Sequence, residues 1–331
     1  MYKRQLEIGG AGPAWLGVQE LAVAAAQRGP DRAALARAHT AVAYLQWMRG
    51  QWAQAQSHVD AAYEALDRDD GYGWACVAYA HSFLLWERGE WAENFAVLHR
   101  CLTIFREAGD TDREARVLCN LGYAHSAQGD FDRALEHLRD SLRLFRSAGF
   151  RLNVANLLVQ IGAVRRSQGC ADDAIDHLAA GLAIFEEYHA QRPQAQALFQ
   201  LASAYAGQKR YAEAAAALDR GLELTRDFGD TQGEAIILYK MGAVRTGLGE
   251  PHEAAAALTD ALAIFDSLGA RQWQARTRQE LGSAYAALGR DDDADREWAA
   301  AEGIFTELGM PEAGQVRLLR DALGHARSNG G

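Results

Sequence analysis

The chain has 331 residues, 49% of them apolar and 24% charged, which is the composition of an ordinary folded protein and not of a disordered one. Its formal net charge of −10 would repel a phosphate backbone, so we expect no nucleic-acid partner for this segment. No apolar run approaches the roughly 20 residues that cross a bilayer, and no signal-peptide core begins the chain, so we predict no membrane partner and a cytoplasmic location.

The residue types that carry catalysis are not grouped in the sequence. The ten histidines form no HExxH motif, and the GGAG at 9–12 lacks the GK[ST] that completes a phosphate-binding loop. The four cysteines show no CxxC spacing and are expected to be buried as small apolar residues: Cys76, Cys101, Cys119 and Cys170. The sequence therefore predicts no catalytic residue, no metal site and no cofactor.

Residues 1–30 are predicted to be a cloning scar followed by an orphan or capping helix. Only 3 of the 34 basic residues are lysines, and one of them is Lys3 in the opening MYKRQ, which we interpret as a scar with a natural N-terminus as the alternative. Residues 14–28 form a helical pattern that resembles the second helix of a pair. Its apolar edge would be uncovered and could support self-association: Trp15, Leu16, Val18 and Leu21.

A 40-residue repeat organises the chain from residue 31 onward. Two glycine series, one alanine series and one aromatic series keep the same period, with Lys209 and His189 in place of two glycines and Gly50 one residue out of step. The members are Gly89, Gly129, Gly169, Gly249, Gly289; Gly109, Gly149, Gly229, Gly269, Gly309; Ala134, Ala174, Ala214, Ala254, Ala294; and Phe105, Phe145, Phe185, Phe265, Phe305.

Each period is predicted to hold two antiparallel helices. Leu138, Leu142 and Phe145 lie at i, i+4 and i+7, one face of a helix. Gly129 would end the helix before it and Asp130 would begin the next as an N-cap. A further series of small residues would let the two helices of a pair approach each other: Gly122, Gly162, Ala202, Gly242 and Gly282.

The repeats resemble the tetratricopeptide repeat. LGSAYAALGRDDDADREWAAAEGIF (281–305) carries the Leu-Gly-x-x-Tyr, Gly, Ala and aromatic pattern of that family, and LASAYAGQKRYAEAAAALDRGLEL (201–224) carries it again. The match covers roughly residues 31 to 327, although the period is 40 and not the 34 usual in the family. This longer variety is similar to the repeats of large bacterial signal-transduction and transcriptional regulators.

The resemblance implies an all-α fold, a right-handed α-solenoid of antiparallel helix pairs. Seven pairs are expected over 31–310, followed by a C-terminal capping helix and a loose tail over 311–331. In that last helix Val316, Leu319 and Leu323 are predicted to form the apolar face, with Arg317 and Arg320 on the solvated face.

The resemblance also implies that the first helices of the pairs line a concave groove. The candidate partner-binding residues in that groove are Tyr44, Trp47, Tyr79, Phe83, Trp86, Asn120, Tyr123, Asn156, Arg166, Phe199, Tyr239 and Arg276. Trp52 and Trp91, just after the repeat glycines, are expected in the core. Arg165 and Arg245 replace a tyrosine of the family pattern and are expected either in structural ion pairs or in contacts with an acidic ligand.

The family's clamp for a peptide C-terminal carboxylate is not matched around Asn120. The positions that would carry its cations hold Tyr79, Phe83, Asn156 and Gln160. Binding of a peptide C-terminus by that clamp is therefore not expected.

From the repeat and its resemblance we predict a protein-interaction scaffold that binds a protein or peptide segment in its groove, as the C-terminal regulatory part of a larger bacterial regulator. The alternatives are a sensor array for a small molecule or signalling peptide, and a self-association module.

Overall fold

The computed structural model describes residues 12–330, and their side chains from 16 to 325. Within this range all regular secondary structure is helical. The helices are α1 Gly12–Gln27, α2 Arg32–Met48, α3 Trp52–Ala65, α4 Gly71–Glu87, α5 Trp91–Glu107, α6 Thr111–Ala127, α7 Phe131–Ser147, α8 Arg151–Ser167, α9 Ala171–Glu187, α10 Gln191–Gly207, α11 Tyr211–Asp227, α12 Thr231–Gly247, α13 Pro251–Ser267, α14 Arg271–Ala287, α15 Asp291–Glu307 and α16 Glu312–Gly330. The MYKRQ segment lies outside the described residues.

The chain divides into two compact units, unit 1 up to Phe150 and unit 2 from Arg151 onward. Unit 1 contains α1 and the pairs α2–α3, α4–α5 and α6–α7. Unit 2 contains the pairs α8–α9, α10–α11, α12–α13 and α14–α15, and then α16. Within each unit the first helix of a pair packs against its own second helix and against the second helix of the preceding pair. This is the α-solenoid arrangement that the repeat predicts.

Left-handed residues end the helices at the repeat positions. Gly129 has φ +77° and Gly249 has φ +76°, and the other glycines of both series share this conformation. His189 and Lys209, which replace two of these glycines, adopt the same turn with φ +50° and +60°. Asp130 accepts a hydrogen bond from the backbone N–H of Arg133 at 3.3 Å, which confirms it as the predicted N-cap.

Close approach of paired helices explains the series of small residues. A Cβ added to Gly122 would lie 2.6 Å from Leu138 Cγ, and one added to Gly162 would lie 2.6 Å from Leu178 Cγ. The alanine series lies opposite, with the carbonyl of Ala174 3.0 Å from that added Cβ of Gly162. The aromatic series is buried, and Phe305 has no exposed surface. The core of each unit is therefore formed by the residues that keep the 40-residue period.

The apolar residues of the first helix, α1, are only partly covered by the rest of unit 1. In α1, Val18 and Leu21 are 57% and 71% exposed, while Val23 on another side of the helix is buried. The predicted apolar edge is thus open at these two residues, and the Trp15 side chain lies outside the described ones.

The predicted faces of α16 are wrong in part. Val316 is buried and Leu323 packs in the core, but Leu319 is exposed. Arg320 lies towards α15, where its guanidinium donates to Asp295 at 2.8 Å and to Glu302 at 2.9 Å, and Arg317 donates to Glu302 at 2.7 Å. The helix α16 therefore packs on α15 through ion pairs as well as apolar contacts. As a result, the side of α16 that carries Arg320 is turned toward α15, and the side that carries Leu319 is turned toward solvent.

Candidate functional site

Each first helix packs one side against the second helix of its own pair. Its opposite side is left available for contact with a partner. Gly122 points at Leu138 of its second helix, and at 100° per residue Asn120 and Tyr123 are turned 200° and 100° away from it. One period later, Gly162 points at Leu178 in the same way. We call this side the first-helix face and describe it separately in each unit.

Four of the predicted contact residues form one aromatic cluster on the first-helix face of unit 1. Trp47 and Phe83 have ring centroids 4.7 Å apart, and Tyr44 lies 5.5 Å from Trp47 and 5.6 Å from Phe83. Tyr79 meets Phe83 edge to face at 5.3 Å. All four side chains are half-buried, so their rings pack on one another and keep an accessible surface. We call these four residues the aromatic cluster.

Trp86, Trp91 and Trp52 lie apart from the aromatic cluster. Trp86 packs edge to face on Trp91 at 4.9 Å, across the turn between α4 and α5. Trp52 is 51% exposed, so the prediction that it lies in the core is wrong. In the equivalent turn, Trp47 is the counterpart of Trp86, but its ring packs on Tyr44 and Phe83. Among the described side chains, no aromatic ring stacks on Trp52.

Polar side chains of α6 border the aromatic cluster. Asn120 lies beside the Tyr79 hydroxyl and Tyr123 lies beside the Cys119 thiol, close enough for each to influence the pKa of its neighbour. Burial raises the pKa of both tyrosines well above the usual range, and it raises the pKa of Cys119 to about 11. These groups are therefore neutral at pH 7, and they offer hydrogen bonds without charge.

In unit 2 the predicted residues are dispersed. Tyr239 and Arg276 both contact Trp273, with the Tyr239 ring 5.5 Å from the indole and the Arg276 guanidinium carbon 5.9 Å from it. Asn156 donates to the Leu152 carbonyl at 2.9 Å, and Phe199 is half-buried. Arg166 is exposed at the end of α8.

The two arginines that replace a family tyrosine are held within the chain. Arg165 lies 3.3 Å from Asp173, and Arg245 lies 2.8 Å from Glu250 and 3.8 Å from Asp219. The structural alternative is thus correct for both. Of the cysteines, Cys101 is buried, Cys76 and Cys119 are half-buried and Cys170 is exposed, so the prediction that all four are buried is confirmed only for Cys101 and is wrong for Cys170.

Sequence reasoning missed a row of polar residues on the first-helix face of unit 2. Gln160, Gln200, Lys240 and Glu280 occupy one register on four successive first helices, 40 residues apart, and all are half-buried. Burial lowers the pKa of Lys240 and raises the pKa of Glu280. The 40-residue spacing was the available signal, because it places these side chains in line.

Two further classes of site are not found in the part of the chain that is described. No group of three or more histidine, cysteine or carboxylate side chains could hold a metal ion there. No described helix is both long and apolar enough to cross a lipid bilayer.

Comparison with known proteins places these repeats in a family. The family model described as "Tetratricopeptide repeat" matches residues 75–147 and 153–227. No curated protein matches the chain significantly.

Similar solved structures share the fold at low sequence identity. The apo form of RapI is 17% identical, with a TM-score of 0.65 over 83% of this chain and 98% of RapI. The apo form of the quorum sensor NprR from B. thuringiensis is 14% identical, with a TM-score of 0.64 over 96% of this chain and 94% of NprR. A Rap protein complexed with Competence and Sporulation Factor is 17% identical, with a TM-score of 0.59 over 82% of this chain and 76% of that one. These matches show that residues 75–147 and 153–227 carry tetratricopeptide repeats and that the chain has the helical-repeat fold of these structures.

Proposed function

We propose that the chain binds a protein or peptide segment on its first-helix face, and that the aromatic cluster of unit 1 is the main anchor. The observation that carries this proposal is that α2 and α4 bring Tyr44, Trp47, Tyr79 and Phe83 into contact, and that each ring keeps part of its surface accessible. Trp47 and Tyr79 also pack on the core, which holds the cluster in place. Half-buried aromatic side chains that form one patch are typical anchors for a bound chain.

The chemistry of this patch suits a partner with an apolar or aromatic side chain. The rings supply a rigid apolar surface that loses little conformational entropy on binding. The indole N–H of Trp47 donates to Glu87, and Asn120 lies at the cluster's other edge beside Tyr79. Neutral polar groups around an apolar centre are the usual composition of a binding surface.

A signalling peptide as the partner is the finer form of this proposal. One similar structure is that of a quorum sensor, and another is a complex with Competence and Sporulation Factor. The identity of 14–17% carries the fold to this chain, so the ligand class is our proposal. That the array regulates a larger bacterial protein, acts in the cytoplasm and has no catalytic activity stays a prediction from the sequence.

A random-sequence peptide library displayed on phage tests the proposal. We expect the wild-type chain to enrich specific peptides from the library. Synthetic copies of these peptides should bind the Trp47→Ala and Phe83→Ala variants at least about tenfold more weakly than the wild-type chain, because an anchor has been truncated. Trp52→Ala is the matched control, since it removes an exposed indole outside the cluster. Circular dichroism verifies that each variant is folded. Equal affinity for all four proteins would rule out the aromatic cluster as the anchor.

Self-association is a second candidate function, favoured by the exposure of Val18 and Leu21 on α1. Two neighbouring apolar side chains that are more than half exposed can pair with a second copy. Light scattering across a concentration series measures this directly. A Val18→Glu/Leu21→Glu variant should shift any dimer toward monomer, and a wild-type chain that is monomeric at every concentration would exclude the candidate.

A further inference from the structure

The first described helix of unit 1, α1, occupies the register of a second helix. Val18 and Leu21 lie two periods before Leu98 and Cys101 of α5. Both residues of α5 are buried, and the Cys101 thiol donates to the carbonyl of Ala75 on α4, the first helix of that pair, at 3.4 Å. On α1 the equivalent residues are exposed, and no described helix precedes α1 to cover them. The helix α1 thus has open the side that a first helix covers elsewhere.

The last helix of unit 2, α16, occupies the register of a first helix. Leu318 and Ala322 lie two periods after Leu238 and Gly242 of α12. Leu238 is buried in one core cluster with side chains of α13, the second helix of its pair. On α16, Leu318 is 70% exposed, Ala322 is exposed too, and no described helix follows. The helix α16 thus has open the side that a second helix covers elsewhere.

We propose that α16 of one copy of the chain packs against α1 of a second copy, so that the two form a helix pair between molecules. Each of the two surfaces supplies the kind of helix that the other lacks, and this identifies the occupant as a second copy. The association is head to tail, because each copy contributes a different surface to it. The inference deepens the self-association candidate, on which it rests for the open side of α1, by naming the surface that α1 binds.

The pair α12–α13 is the template for the contact between the copies. Gly242 faces Leu258 so closely that a Cβ added to the glycine would collide with the leucine. In the proposed pair, Ala322 and Val18 hold these two positions. The side chain of Ala322 is one carbon larger than that of glycine, and the side chain of Val18 is one carbon smaller than that of leucine. Such volume-conserving exchanges are well tolerated at a packed contact.

A second exchange of size occurs about one turn further along the same contact. In α12–α13 the leucine that corresponds to Leu318 lies in one core cluster with Ala261 and Phe265. The corresponding residues of α1 are Leu21 and Ala25. The contact therefore keeps one large and one small apolar side chain, in the opposite order. Leu318 would pack against this large side chain as its equivalent does in α12.

Both surfaces are poor in charge. Residues 16–27 of α1 include one charged side chain, Glu20. On α16, Gln315, Leu318 and Ala322 lie at i, i+3 and i+7 on one side of the helix and are uncharged. The helices that end a stack of repeats normally have a polar outer face, whereas the core of a specific interface is depleted in charge. The composition of these two surfaces is therefore that of an interface.

Two variants and their mixture test the head-to-tail arrangement by light scattering at concentrations up to about 1 mM. The mass of the wild-type chain should rise above the 36.1 kDa of one copy as the concentration increases. Leu21→Glu and Leu318→Glu should each raise the dissociation constant at least about tenfold, because each places a carboxylate in the apolar contact. An equimolar mixture of the two variants should associate again, since it contains an intact α1 and an intact α16. It should stop at twice the mass of one copy, because both remaining surfaces are blocked.

Leu268→Glu is the matched control, since Leu268 is 48% exposed in the turn between α13 and α14. This variant should associate like the wild type. Circular dichroism verifies the fold of each variant, and association in the mixture shows that the unchanged surface of each one is intact. The inference is overturned by a wild-type chain that stays monomeric, by a Leu318→Glu variant that associates like the wild type, or by a mixture that does not associate.

The outcome is distinguishable from failure of the proposed functions. Loss of association in Leu21→Glu but not in Leu318→Glu would mean that two copies pair through α1 alone. That result would overturn the head-to-tail arrangement and would support the self-association candidate. Peptide binding through the aromatic cluster is measured separately with the phage library, and neither result decides the other.

Discussion

The indole Nε1 of Trp47 donates a hydrogen bond to the carboxylate of Glu87 at 3.1 Å, and Glu87 directly follows Trp86, the counterpart of Trp47 in the next pair. The bond joins the first helices of two successive pairs on the face that we propose binds a partner. The same indole packs on Phe83 of the second of these helices. The aromatic cluster is thus a contact between repeats as well as the proposed binding surface.

Trp47→Phe should keep the ring contacts and lose only this hydrogen bond. Since the hydrogen bond itself lies at the exposed surface, we expect the free energy of unfolding to fall by less than about 1 kcal/mol in Trp47→Phe, whereas Trp47→Ala should lower it by about 1–2 kcal/mol. A double-mutant cycle of Trp47→Phe with Glu87→Ala in urea measures the coupling, expected at about 0.5–1 kcal/mol. A coupling of zero would show that the bond does not stabilise the contact.

Gly162→Ala should destabilise unit 2, although alanine favours helices. The added methyl would lie 2.6 Å from Leu178 Cγ and 3.0 Å from the Ala174 carbonyl oxygen, so α8 and α9 must move apart. Such overpacking costs about 1–3 kcal/mol. Gly303→Ala is the matched control inside a helix, because its methyl would meet nothing within 4 Å. That variant should stabilise by about 0.5–1 kcal/mol, and urea unfolding that gives both variants the same sign would contradict the packing.

The repeat positions could be predicted because their causes are local or repeated. A left-handed residue such as Gly129 ends a helix wherever it occurs. A small residue such as Gly162 is needed wherever the two helices of a pair touch. Each of these causes acts again 40 residues later, so several copies support one assignment. The sequence for this reason predicts the boundaries of the pairs and their inner contacts.

From the sequence, the site could be predicted only as a set of candidate residues, because side-chain rotamers decide which of them are in contact. Trp91 packs on Trp86, but Trp52 in the equivalent position is exposed because Trp47 packs on Phe83. In α16 the ion pairs of Arg320 rotate the buried face away from Leu319. An arginine can bury its apolar stem while its guanidinium reaches a carboxylate, and hydropathy patterns do not record this.

Lys209→Gly should stabilise the turn between α10 and α11. Lys209 has φ +60°, a conformation that costs an ordinary residue roughly 1–2 kcal/mol, and glycine recovers part of this despite its greater freedom in the unfolded chain. We expect a net gain of about 0.5–1 kcal/mol in thermal or urea unfolding. The reverse change, Gly169→Ala at φ +80°, should cost about 1 kcal/mol. A loss of stability in Lys209→Gly would mean that its side chain has a stabilising contact.

Acidification should loosen the first helix pair through two histidines. His39 Nδ1 and His58 Nδ1 are 2.8 Å apart, so one donates and the other accepts. Burial lowers the pKa of both, and each further responds to a neighbouring charge: His58 lowers the pKa of His39, while Glu20 on α1 raises that of His58. The unfolded chain therefore binds protons at a higher pH than the folded one. The stability is present above the unfolded pKa of about 6.5 and is lost as the pH falls through the folded values.

Hydrogen exchange of the α2 and α3 amides at pH 7.5, 6.5 and 5.5, corrected for intrinsic rates, measures this effect locally. We expect the opening free energy of these two helices to fall with pH in the wild-type chain. His39→Gln should make the fall shallower, because one of the two titrating groups is gone. His252→Gln, at an exposed position on α13, should leave the α2 and α3 profile unchanged. An identical pH profile for the wild type and His39→Gln would show that the histidine pair does not govern the stability of this end of unit 1.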